Sequence, residues 1–188
     1  NEEDTSYGKA NPDLPENSEE RKALFEELAG VAARIGNRKS TFTGNPFPFS
    51  SITLENNRVI GCMMSLAYYD FDEELIVRLA SFLPRMSADQ RLAFYCKYLS
   101  PKTNSKHREI LRGALKDRSI QVKEAAAEKL ADCNLTDEDM EALAESMRSK
   151  SSSFRSNILE IFKQQEPEKL SAVIGSMLSS GGEYQIQA

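Results

Sequence analysis

An all-α fold, a right-handed solenoid of stacked helix pairs, is predicted by two periodicities in these 188 residues. The longer is a step of 32 that links Arg91, Lys123, Arg155 and Gln187, and likewise Leu79, Leu111 and Leu143. The shorter is the helical spacing of four within each unit. Leu79, Leu111 and Leu143 are followed four residues later by Leu83, Leu115 and Met147, while Cys62, Phe94, Ala126 and Ile158 are followed by Leu66, Tyr98, Leu130 and Phe162. Apolar residues at i and i+4 put one stripe on each helix. Two such sets in every step give two helices that face one another, and pairs that cannot bury their stripes alone stack on their neighbours.

The elements follow in order. Residues 1–17 are rich in acidic and turn-forming side chains and lack periodic hydrophobes, so they read as a flexible lead-in. From Ser18, Leu24, Leu28, Val31, Ala32 and Ile35 form one face of a first helix that ends near Gly36 and caps the array. The stretch from Asn37 to Asn56, with Phe42, Phe47 and Phe49 among prolines and glycine, has no helical period and is expected as a long loop or short extended insertion. Its phenylalanines suit a plug over the open end of the array or a peptide anchor. Regular helices are expected at 57–69, 71–83, 87–99, 104–116, 119–132, 137–149, 152–165 and 167–179. Capping pairs mark several starts: Asp70 with Glu73, Ser87 with Gln90, and Thr136 with Asp139. Pro84, Pro101 and Pro167 fall at junctions, where a missing amide does little harm. Ile186 and Gln187 take the phase of Phe154 and Arg155, so the array, spanning 57–188, reads as interrupted and the chain as part of a longer protein.

Composition narrows the function classes. The chain is 40% hydrophobic, enough for a core without disulfides or metals. Cys62, Cys96 and Cys133 are odd in number and embedded in helical patterns, which predicts buried thiols in a reducing, cytoplasmic setting. A single histidine, His107, and the lack of any CxxC leave a standard zinc site short of ligands, and no cofactor is expected. No apolar run is long enough for a conventional membrane span.

Asp117, Val122 and Lys123, followed by Ala125, Ala126, Ala127 and Leu130, resemble the HEAT repeat: a turn aspartate, a Val-basic pair and an alanine-rich second helix. The resemblance implies that the basic residue braces the turn aspartate of the adjacent repeat. Arg91, Asp117, Lys123 and Arg155 are therefore the candidate inter-repeat brace. The step of 32 is shorter than the roughly 40 to 47 residues of standard units, and Arg85 and Ser149 stand at the equivalent turns, so these are short HEAT-like repeats. The segment from Leu143 to Gln187 resembles the helical region of long bacterial proteins of unknown function described as molybdate-metabolism-regulator-like. That resemblance implies an N-terminal region followed by a separate domain.

Candidate chemistry concentrates in charge. From Lys97 to Lys123, eight basic residues stand against Glu109 and Asp117, a net of +6 in a chain of net −5. Arg108, Arg112 and Lys116 at four-residue spacing, with Lys106 nearby, predict an exposed basic stripe that suits an anion or a nucleic-acid backbone. The competing reading is an ordinary solvated face, favoured by the acidic total charge and sparse aromatic interleaving. His107 has no nucleophile or carboxylate partner at helical spacing and suits packing or capping better than catalysis. Asp137, Glu138, Asp139 and Glu141 suit a helix N-terminus better than a cation site. The expected function is a non-enzymatic scaffold for an unidentified protein partner, with no catalytic, cofactor or metal residue. Two alternatives are a backbone-binding nucleic-acid array and a regulatory region of a protein whose catalytic domain lies elsewhere.

Overall fold

The structure, a computed structural model, describes residues 14–36, 40–44, 47–102 and 104–180, the segment 40–54 in its backbone only. The described chain is all-α apart from one hairpin, and it divides into two compact units, Asn1–Gln90 and Arg91–Ala188.

In the first unit, α1 (Ser18–Ile35) is capped by Asn17, whose side chain accepts the Glu19 amide at 2.9 Å, and Glu19 and Glu20 complement the positive end of the helix. It stops at Gly36, whose φ of 57° lets its amide turn back to the Ala32 carbonyl at little steric cost. The buried face centres on Phe25, Ala29 and Ala32. Leu24, Leu28, Val31 and Ile35 are only half-buried, so the expected face is rotated toward the larger Phe25 ring.

The expected loop or extended insertion is an antiparallel hairpin of β1 (Ser40–Gly44) and β2 (Phe47–Leu54), with an irregularity at Thr43/Gly44. The proposed plug of Phe42, Phe47 and Phe49 falls on side chains outside the described ones. α2 (Asn56–Asp70) packs on α1 and buries Val59, Ile60, Met63, Leu66 and Ala67. It ends on Phe71, a left-handed residue with φ 47° and more than half exposed.

α3 (Glu73–Ala80) is capped by Asp72, which accepts the Glu74 and Leu75 amides at 2.9 and 3.1 Å and pairs with Lys22 at 3.2 Å. The cap expected at Asp70 is thus two residues later. The helix expected to reach residue 83 gives way to a 3₁₀ turn at Leu83–Arg85, from which Arg85 donates to the Ala32 carbonyl at 3.0 Å. α4 (Ala88–Lys97) opens on reciprocal Ser87–Gln90 bonds of 3.1 and 3.2 Å, the expected capping box.

The second unit holds the end of α4 with α5 (Ser105–Ala114), α6 (Ile120–Ala131), α7 (Asp137–Ser146), α8 (Ser152–Lys163) and α9 (Pro167–Ser180). α5 packs on α6 and α7, α6 on α8, and α7 on both α8 and α9. First helices therefore lie against first helices, and second helices against second helices. Helices α5 and α7 end earlier than expected because their last turns tighten to i+3 bonds. Leu115, Lys116 and Asp117 donate to Arg112, Gly113 and Ala114, and Met147, Arg148 and Ser149 repeat the pattern 32 residues on.

The core follows the predicted columns: Leu79, Leu111 and Leu143 are inaccessible, as are Phe94, Ala126 and Ile158. Each large aliphatic or aromatic member contributes about 1.5–3 kcal/mol by leaving water. The column slips at its first member. Cys62 is exposed and Met63 takes the buried place; Cys96, between Tyr95 and Lys97, is also exposed. Only Cys133 meets the expectation of a buried thiol. The slip has a plain cause: the helical stripe advances by 3.6 residues, so a step of four overshoots where a neighbouring Met packs better.

Candidate interaction surface and inter-repeat braces

Three of the four stripe candidates lie on α5, which is capped by Asn104 accepting the Lys106 and His107 amides at 2.9 and 3.4 Å, and Lys116 follows in the tight turn after it. Lys106, in the first turn, is exposed. The other three reach toward α7. Arg108 Nε lies 3.4 Å from Asp139 Oδ2, and its terminal amine donates to the Asn134 carbonyl at 3.0 Å. Arg112 donates to Asp139 Oδ1 at 3.2 Å, and Lys116 Nζ sits 2.9 Å from Glu145 Oε2. The two arginine side chains are 17% and 27% exposed against 66% for Lys116. The expected exposed basic stripe is therefore corrected: its two arginines are half-buried and share the one carboxylate of Asp139 on α7.

Asp139 is the hub. Its side chain is wholly buried, and besides the two arginines it accepts the Thr136 amide at 3.0 Å, completing a capping box at the start of α7. The acidic cluster thus divides. Asp139 is an internal anchor, while Asp137, Glu138 and Glu141 are exposed. The Glu138 carboxyl is held below its usual range, first by the Thr136 hydroxyl and then by backbone bonding and the nearby guanidinium groups.

The second brace joins Arg91 to Asp117. Nε and a terminal amine of Arg91 donate to the two carboxylate oxygens at 2.7 and 2.9 Å, a bidentate pair with side chains 5% and 9% exposed. Burial alone would raise the Asp117 carboxyl, but the Arg91 bond, the Ser119 amide at 2.8 Å and the positive charges of Arg91 and Arg118 hold it below its usual range.

Lys123, expected to reach a turn aspartate, instead lies 5.8 Å above the Phe154 ring on α8, because Ser149 replaces the carboxylate at the next turn. Arg155 donates to the Ser149 carbonyl at 2.8 Å, a local bond to the turn six residues before it. Further bonds cross between successive second helices: Ser153 to Glu124 at 3.1 Å, Asn157 to Glu128 at 3.3 Å, and Lys129 to the Cys96 carbonyl. His107 is buried and its Nδ1 accepts the Ser100 amide at 3.0 Å, a packing and capping position that places the ring proton on Nε2.

A pH test arises here. Tyr95, next to the Arg91–Asp117 pair, has its phenol pushed up to about 12 by burial and by the Asp117 charge, from 10.0. The folded form keeps the proton longer than the unfolded chain, so stability is full below pH 10 and falls as pH rises from 10 toward 12. Urea titrations across that window should show a loss of about 2–3 kcal/mol in the parent and a shallower loss in Tyr95→Phe.

The sequence pattern, the helix pairing and the braces together define the chain that a family comparison must account for, and one family model spans all of it, residues 1–188. The chain belongs to DUF5724, a family of unknown function. No curated protein and no solved structure matches it. Among the described residues, no group of three His, Cys, Asp or Glu side chains is placed to hold a metal ion, and no helix is long and apolar enough to cross a membrane.

Proposed function

We propose that this chain is a non-enzymatic protein-interaction scaffold, a right-handed α-solenoid of short HEAT-like helix pairs within a larger cytoplasmic protein. The observation that carries the reading is how the polar side chains are used. The best-placed charges, Arg91, Arg108, Arg112, Asp117 and Asp139, bond across a span of 26 to 31 residues, from one helix pair to the next. Charges committed to holding successive pairs in register favour a rigid array, and a rigid array presents its exposed side chains as an ordered surface.

The nucleic-acid alternative retains Lys106 and Lys116 but loses most of its support from Arg108 and Arg112, whose charge is met by Asp139. Its test should spare those arginines, since reversing them would disturb the fold. Labelled duplex DNA and single-stranded RNA are titrated at low and near-physiological salt with the parent and with Lys106→Glu/Lys116→Glu. The scaffold reading expects no salt-steep binding, together with stoichiometric capture of a specific protein that is lost in Glu128→Lys/Glu160→Lys on the second helices. Binding that falls steeply with salt and disappears in the lysine variant would replace the scaffold by a backbone-binding array.

A further inference from the structure

Among the polar contacts between second helices, one brings an amine to a residue that carries a thiol. Lys129 of α6 donates from Nζ to the carbonyl of Cys96, in the last turn of α4. That carbonyl and the Cys96 Sγ belong to one residue, so the amine lies within a residue's breadth of the sulfur. Cys96 is exposed, and its thiol is open to a reagent arriving from solvent. The third member of the cluster, Cys133, is buried, and its thiol donates to the Lys129 carbonyl at 3.6 Å.

Lys129 itself is half-buried. Burial holds its amine below the ordinary lysine range, and of the charges that oppose the shift the Cys96 thiolate comes first, ahead of Asp132 and Cys133. A larger share of this amine is therefore neutral, the form that acts as a nucleophile. A lysine on the last carbonyls of a helix also caps it, but capping calls for no thiol. Stacking does not require the pair either: one step of 32 residues on, an exposed Glu128 and a buried Ile161 stand at the same positions.

We propose that Cys96 and Lys129 form an acyl-acceptor pair, in which the exposed thiol takes an acyl group from a small acyl thioester and passes it to the neighbouring amine, making Lys129 an acylation site. The thiol first gives its proton to solvent, and the thiolate attacks the carbonyl carbon of the donor. A carbon–sulfur bond to Cys96 forms as the donor's carbon–sulfur bond breaks, and the departing thiolate takes up a proton. The neutral Lys129 amine then attacks the same carbon. A carbon–nitrogen bond forms, the bond to Cys96 breaks, and the proton lost from nitrogen restores the thiol. Nothing is oxidised or reduced; the net products are an amide on Lys129 and the donor's free thiol. Proximity drives the second step, which within one folded chain is unimolecular.

The test incubates the whole chain with acetyl-coenzyme A and follows acetyl occupancy at each lysine by peptide mass spectrometry, for the parent, Cys96→Ser and Lys129→Arg. Lys129 should be acetylated about ten-fold or more faster than the exposed Lys106 and Lys163 in the parent, and should lose that advantage in Cys96→Ser. In Lys129→Arg, which keeps a donor for the Cys96 carbonyl, the acetyl group should stay on Cys96 as a thioester that hydroxylamine removes. The N-hydroxysuccinimide ester of acetate, which acylates amines directly, should label Lys129 equally in the parent and in Cys96→Ser. A Lys129 rate unchanged in Cys96→Ser, or one that falls equally with both reagents, would overturn the proposal. So would a Cys96 thioester that never reaches Lys129 in the parent.

Discussion

Asp139→Ala is expected to lower the stability of the second unit by about 2–4 kcal/mol, the largest single effect at an ionisable position outside the hydrophobic core. Two losses combine. The substitution removes the acceptor of the Thr136 amide and with it a capping box, a loss of about 1 kcal/mol. It also leaves Arg108 and Arg112 facing each other without the carboxylate they share. Their partial exposure lets them recover some hydration, which keeps the figure below that of a fully buried orphaned charge. Asp139→Asn separates the contributions, because an amide oxygen can still accept the Thr136 amide while the charge is gone. Urea unfolding should place the asparagine variant between the parent and the alanine variant. A loss below about 0.5 kcal/mol in the alanine variant would mean that helix pairing needs no ionic anchor here.

Arg91→Ala is expected to cost about 3 kcal/mol, since it leaves a nearly buried Asp117 carboxylate with the Ser119 amide and the more distant Arg118 charge in place of its bidentate partner. Arg91→Lys should recover little, because an ammonium group cannot satisfy both carboxylate oxygens in the way the planar guanidinium does. The double variant with Asp117→Ala should lose less than the sum of the single changes, and the difference reports the coupling between the two residues. The acid limb supplies an independent readout. The folded Asp117 titrates below its unfolded value of 3.8, so its contribution is present above about pH 4 and lost as pH falls through the folded pKa. Arg91→Ala should flatten that part of the stability profile, and an unchanged acid limb would disconnect Asp117 from Arg91.

Helix existence and the buried columns were legible in the sequence because both follow from local periodicity. Leu111 and Leu143 share one phase in the sequence, Phe94, Ala126 and Ile158 another, and all five are core residues in the structure. Caps at Ser87 and Thr136 were legible for the same reason, since a capping box spans four residues. Less visible was which member of a charged set turns inward. Arg108 and Arg112 look like any solvated helix face until α7 is laid against them. A signal did exist: Asp139 lies 27 residues after Arg112, and Asp117 lies 26 after Arg91, each just short of one repeat. Pairing opposite charges at that offset would have separated braces from surface.

The sequence alone determined that this chain is helical, with an apolar stripe on each helix. Those are properties of spacing along one polypeptide, set by the 3.6-residue turn and by the preference of apolar side chains for each other over water. Only the tertiary structure decided that Arg91, rather than Lys123, holds the turn aspartate, that Cys62 and Cys96 face outward, and that Asp139 gathers two arginines. Each of those outcomes depends on which side chain a neighbouring helix brings within about 3 Å, a distance set by packing between segments that local periodicity does not specify.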